Sequence, residues 1–265
     1  MLYFYIYSII QIVAESFPIS SSGHVALFVQ SAAQLGYFQP LMTTTIWFNH
    51  LLHVPTVMIT IIFFYHQWIH WRVMLFHPWR CKKIIMRFIG TLFIADALTS
   101  SMYLFFKWSG IAFWHLGFGF VITMVILYSL VVCARYSVST YHWYVVAGAL
   151  GVVQSCALLP GISRFASTYV CARWCGKTAQ QAFELSWLIQ FPLIVVGSMH
   201  GVCGLYMSGL SAELLHPRML FVILMATVIA WYALCMMYRM AIQERLYIVA
   251  YYMIIPLVIW ILLNI

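Results

Sequence analysis

Along residues 1–71 the chain carries a single Asp, Glu, Lys or Arg side chain, Glu15. Uncharged runs recur at 108–134, 185–212, 219–238 and 246–265, and a helix of ~20 apolar residues crosses the hydrocarbon of a bilayer. Such runs cannot be wrapped into a wetted globule. Only 7% of the 265 residues are charged and 65% are hydrophobic, against roughly 25% charged in a soluble domain. Each backbone group in hydrocarbon must find its partner within the protein, and continuous apolar runs do so as helices. The chain therefore reads as an all-α polytopic membrane protein surrounded by lipid. The formal charge of +8 is scattered over short connections, which excludes a nucleic-acid partner and fits membrane topology instead. The first residues lack the basic segment of a cleaved leader. Seven Cys without paired spacing read as small packing residues.

Six full spans are expected, at 44–66, 84–106, 111–134, 180–206, 217–238 and 246–264. Two further apolar segments, 1–34 and 143–176, are broken near their centres by Pro, Gly and Ser. Each half is too short to span, so each segment reads as a re-entrant helical hairpin, whose irregular backbone must face protein or a wet cavity. The hairpins resemble one another: aligning Gln11 with Gln154 also aligns Ile19 with Ile162 and Ser20 with Ser163. One hairpin plus three spans, twice over, gives repeats at 1–134 and 135–265. An odd number of spans per repeat inverts the second copy. Placing the N-terminus outside leaves Lys107 and Arg218 outside and ten Lys and Arg inside, with Arg164 internal. Both termini are then expected on the outer side.

The two breaks hold the polar residues that cost most at such depth. Ser20-Ser21-Ser22-Gly23-His24 follows Pro18 and should open a helix, whose unpaired N–H groups and positive dipole end favour phosphate oxygens. Pro160-Gly161-Ile162-Ser163-Arg164 repeats the device and adds a guanidinium fork that matches phosphate bidentately. Gln11 and Glu15, spaced i, i+4, share one helix face. Together they can hold Mg²⁺ or Ca²⁺, which prefer oxygen ligands and share them with phosphates; alternatively Glu15 neutralises Arg164. Asp96, His50, His53 and Glu184 are weaker candidates, and Asp96 is expected to pair with a hydroxyl such as Thr99 or Ser100.

Four blocks then carry a resemblance. These are Gln11-x-x-x-Glu15 with Phe17-Pro18-Ile19-Ser20-Ser21-Ser22-Gly23-His24, Phe48-Asn49 to Thr56, Gln154 to Thr168, and Glu184-Leu185-Ser186-Trp187-Leu188 to Pro192. In that order they resemble the BacA/UppP family of bacitracin-resistance membrane phosphatases. The resemblance implies an inner-membrane enzyme of cell-wall lipid recycling that hydrolyses undecaprenyl diphosphate to the monophosphate. It also implies a divalent cation, a site opening to the periplasm, and a homodimer. It assigns roles to Gln11, Glu15, Ser21, His24, Ser163, Arg164 and Thr168. Arg164 would clamp the diphosphate with Ser20, Ser22, Gly23, Gly161, Ser163 and Thr168, while either Ser21 or His24 would be the nucleophile. Phe165-Ala166 stands where the family usually has Ser-Gly. The rivals are a polyprenyl-phosphate transporter or flippase, since inverted repeats with broken helices typify carriers, and a catalytically impaired homologue.

Overall fold

A computed structural model describes residues 2–36, 42–69, 78–109, 115–133, 141–208 and 216–265, with backbone alone at 42–46 and 78–81. Of the cations counted for topology, Arg72 and Arg135 lie outside the described residues. The regular structure of the described residues is helical, in the order α1 Leu2–Glu15, α2 Ser21–Gln34, α3 Met42–Leu51, α4 His53–Phe63, α5 Pro78–Ser109, α6 Leu116–Tyr128 and α7 Leu130–Cys133. The second half continues with α8 Trp143–Cys156, α9 Arg164–Trp174, α10 Ala179–Ser208 and α11 Pro217–Ile242. A 3₁₀ turn, Leu246–Ile248, then leads into α12 Val249–Tyr252 and α13 Ile254–Leu263.

Five helical stretches among the described residues are long and apolar enough to cross a bilayer: Lys82–Ser109, Leu116–Cys133, Ala179–Ser208, Pro217–Ile242 and Leu246–Leu263. Their outward faces are oily, with Phe93 at 72%, Met207 at 86% and Leu262 at 69% exposure. Faces like these are stable only against lipid. The chain is a multi-pass membrane protein.

The sixth expected span, 44–66, is not one continuous helix. Helix α3 ends at Leu51 and α4 restarts at His53. Pro55 explains the break: it lacks an N–H for the carbonyl four residues back, yet is tolerated within the first turn of a new helix.

Each of the two interrupted segments folds as a pair of helices joined at its break. Helices α1 and α2 pack against each other, as do α8 and α9. Each enters its second helix through a serine N-cap: Ser20 Oγ accepts from the Gly23 N–H at 3.3 Å, and Ser163 Oγ from the Ala166 N–H at 3.3 Å. Such caps satisfy N–H groups that a helix leaves unpaired at its start. Each hairpin's first helix packs on the other half of the chain, α1 on α11 and α8 on α5. Helices α3 and α10 pack together between them.

The second break, at 157–163, is splinted from α6. Thr123 Oγ1 donates to the Gly161 carbonyl at 2.9 Å and accepts from the Ser163 N–H at 2.9 Å. One side chain thereby pairs two buried backbone groups that lie outside any helix. Beneath the break, the Phe165 ring packs on Tyr169, Phe183 and Trp187 at centroid distances of 5.8, 5.2 and 5.8 Å.

Candidate functional site

The two hairpin breaks touch. A Cβ on Gly23 would sit 2.9 Å from Cα of Gly161, so only glycines allow this approach. Beside the contact lies a polar cavity of about 220 Å³. Gln11, Glu15, Ser20, Ser21, Ser22, Ser163 and Arg164, drawn from both halves of the sequence, line it. The N-termini of α2 and α9 both open onto it, so two positive helix ends add to the guanidinium.

Arg164 is the odd group in this cavity. No carboxylate of the described residues lies within 4.0 Å of it. Its acidic neighbours Glu15 and Asp96 act on it from beyond that distance. Its Nε is buried and has no hydrogen-bond partner among the described residues. A guanidinium out of water normally has carboxylate or carbonyl oxygens around it. Here the space in front of it is a cavity.

Glu15 does not serve as the close counter-charge. Its Oε1 lies 2.7 Å from His53 Nδ1, and its Oε2 accepts from the Thr56 hydroxyl at 2.7 Å. Asp96 accepts instead from Gln154 Nε2 at 3.0 Å, and the same amide group lies 3.1 Å from Thr99 Oγ1. The two aligned glutamines thus have different surroundings. Gln154 ties α8 to α5 through Asp96, whereas Gln11 lines the cavity; the Oε1 of each is buried with no hydrogen-bond partner among the described residues.

Other expected residues fall outside the cavity lining. The Thr168 hydroxyl donates to the Arg164 carbonyl at 2.9 Å, inside its own helix. Gly23 and Gly161 contribute backbone at the hairpin contact. His24 faces the neighbouring space, an apolar groove of about 690 Å³ between the first hairpin and α11–α13. Cavity and groove share Ala14 and Phe17 as lining residues. His50 and His53 line the cavity, and the structure adds Asn49 and Gln190. Both fall within blocks that carry the resemblance, but neither was given a role, because one amide in an apolar run has no motif of its own.

Among the described residues no three His, Cys, Asp or Glu side chains gather as a metal site. The unpartnered Gln11 Oε1 and the Glu15 carboxylate offer oxygen donors on one face. A carboxylate accepts more than the two contacts Glu15 makes. That set fits a hard cation that completes its shell with phosphate oxygens.

Comparison with known proteins decides the family. The sequence model described as bacitracin resistance protein BacA matches residues 4–259. The chain belongs to the BacA family. Its relatives include a protein of Syntrophotalea carbinolica named undecaprenyl-diphosphatase, 27% identical over 213 residues, or 78% of each chain. A second undecaprenyl-diphosphatase, from Halothermothrix orenii, is 31% identical over 191 residues, covering 70% of this chain and 68% of its own.

Proposed function

We propose that this chain hydrolyses a polyprenyl diphosphate, of the undecaprenyl type for which its relatives are named, to the monophosphate and inorganic phosphate. The observation that carries the reading is Arg164, half-buried beside two helix N-termini with its Nε buried and no carboxylate within 4.0 Å among the described residues. An anion of several charges with bidentate oxygens is the ligand such a place favours. The adjoining apolar groove supplies room for a hydrocarbon chain. In a membrane protein, a groove with so apolar a lining suits a lipid substrate.

Splitting a phosphoanhydride needs charge neutralised on the phosphoryl oxygens, an in-line nucleophile and a proton for the leaving oxygen. Arg164 and the two helix ends would hold the diphosphate and bear the charge that builds in the transition state. Ser21 lines the cavity as a candidate nucleophile, and His24 stands at the groove side as the other. Glu15, fixed by His53 and Thr56, would orient water or receive its proton. A divalent cation, Mg²⁺ or Ca²⁺, shared between Gln11, Glu15 and the diphosphate, would supply further charge neutralisation.

The same reading places the chain in a bacterial inner membrane, recycling lipid carrier for the cell wall, with both termini and the site on the periplasmic side. It counts α3 with α4 as one crossing, giving six spans and two re-entrant hairpins in halves 1–134 and 135–265. The reciprocal packing of α1 on α11 and α8 on α5 supports an inverted repeat. Phosphate release from long-chain prenyl diphosphate by purified protein, with and without EDTA, tests the function. Release that EDTA abolishes supports it, whereas a carrier would bind the lipid and release none.

A further inference from the structure

His24 is held at both ring nitrogens. Its Nδ1 lies 2.9 Å from the Ser20 carbonyl oxygen, and a carbonyl only accepts, so Nδ1 carries the proton. The neutral ring therefore keeps its lone pair on Nε2. That atom lies 3.2 Å from the Tyr252 hydroxyl, which must be the donor. The two rings also stack, with centroids 5.8 Å apart and planes 10° from parallel. Phe120 closes in on the His24 ring edge-on, at 5.5 Å. Tyr252 ends the short helix α12, just before the last span breaks at Met253, and no sequence motif marks it.

We propose that Tyr252 is a positioning residue for His24, fixing its ring plane and the direction of Nε2 in the apolar groove beside the polar cavity. This rests on the phosphatase reading given above. An imidazole with one nitrogen committed to a backbone carbonyl has a single reactive atom, so the orientation of Nε2 decides what the residue can do. Stacking on Tyr252 sets the plane, and the hydroxyl sets the rotation within it. A phosphoryl group arriving with its chain in the groove has to displace only one neutral hydrogen bond to reach Nε2. Without that hydroxyl the Ser20 carbonyl still holds the Nδ1–H tautomer, but Nε2 loses its partner and the ring its fixed direction.

The experiment uses purified full-length protein in detergent and the variant Tyr252→Phe. Phenylalanine keeps the stacking ring and deletes the hydroxyl, at a residue 40% exposed, so folding is not at stake. Nitrogen-15 NMR of labelled histidine reports the tautomer and the hydrogen bonding of Nε2, with the His24 signals assigned by their disappearance in His24→Gln. Steady-state phosphate release from a prenyl diphosphate reports kcat and KM. Parent and variant should both show the Nδ1–H tautomer held by the Ser20 carbonyl, while the Nε2 signal of the variant shifts as its hydrogen bond is lost. Turnover should fall about tenfold, the effect of one neutral hydrogen bond, with KM changed by less than about twofold. An unchanged Nε2 signal with unchanged kcat overturns the proposal. So does a raised KM with kcat preserved, which assigns Tyr252 to binding the lipid chain. If the parent protein releases no phosphate, the phosphatase reading has failed, and the Nε2 signal still decides whether Tyr252 positions His24.

Discussion

Two glycine-to-alanine changes, at Gly161 and Gly148, should move stability in opposite directions. Gly161 sits at the hairpin contact with φ of +85°, and a Cβ there would lie 2.6 Å from the Leu116 carbonyl oxygen and 3.0 Å from Cα of Gly119. Both are backbone atoms of α6 that cannot swing aside. An L-residue forced into left-handed backbone costs roughly 1–2 kcal/mol, and overpacking a filled site typically costs 1–3 kcal/mol. Gly161→Ala should therefore lose about 2–5 kcal/mol, a large part of the 5–15 kcal/mol that holds a typical protein folded. Gly148, within α8, has nothing within 4 Å of its hypothetical Cβ. There alanine removes only the entropic cost of a helical glycine and should add about 0.5–1 kcal/mol. Thermal unfolding of both variants in the same detergent measures the contrast. A Gly161→Ala protein as stable as the parent would show that the second break does not sit against α6 as described.

Further outcomes follow from the same geometry. Arg164→Lys should lose about 10²–10³ of turnover, the scale of removing a transition-state charge contact, because a point charge cannot replace the bidentate fork; near-normal phosphate release would reduce Arg164 to a structural charge. Thr123→Val strips two buried backbone groups of their partner and should cost about 2–6 kcal/mol, at about 1–3 for each group, read as a lowered melting temperature. Gln11→Glu should lower the cation concentration for half-maximal activity, since a carboxylate adds charge to a weak oxygen pair. Glu15→Gln should nearly abolish turnover, and activity that survives both this change and EDTA would leave the carboxylate as a partner for His53 and Thr56 only.

The spans were legible because runs without charge have few other solutions. The break at Leu52 was missed although Pro55 lay in plain sight: hydropathy averages over a proline, while hydrogen bonding does not. The polar lining was legible from Gln11, Glu15, the serines and Arg164, since such residues between Gly and Pro have no use in bare lipid. What each one touches was not. The sequence leaves Glu15 open between a cation with Gln11 and a counter-charge to Arg164, and its close contacts, His53 and Thr56, are in neither reading. Asp96 was expected to meet a hydroxyl and accepts from Gln154. These pairings join helices 41 to 58 residues apart, so local pattern cannot contain them. The departure at Phe165 has a structural use, filling an aromatic cluster beneath Arg164.

The central claim is that a diphosphate head group sits where the two hairpin breaks meet, with its chain in the adjoining groove. The most direct measurement is a structure of the full chain with a non-hydrolysable prenyl methylenediphosphonate. The account predicts phosphonate oxygens within hydrogen-bond distance of Arg164 and of the opening N–H groups of α2 and α9, and the prenyl chain leaving past Ala14 and Phe17. A head group bound elsewhere, for example at the separate cavity lined by Arg87 and Lys177, with Arg164 still facing empty space, would contradict it.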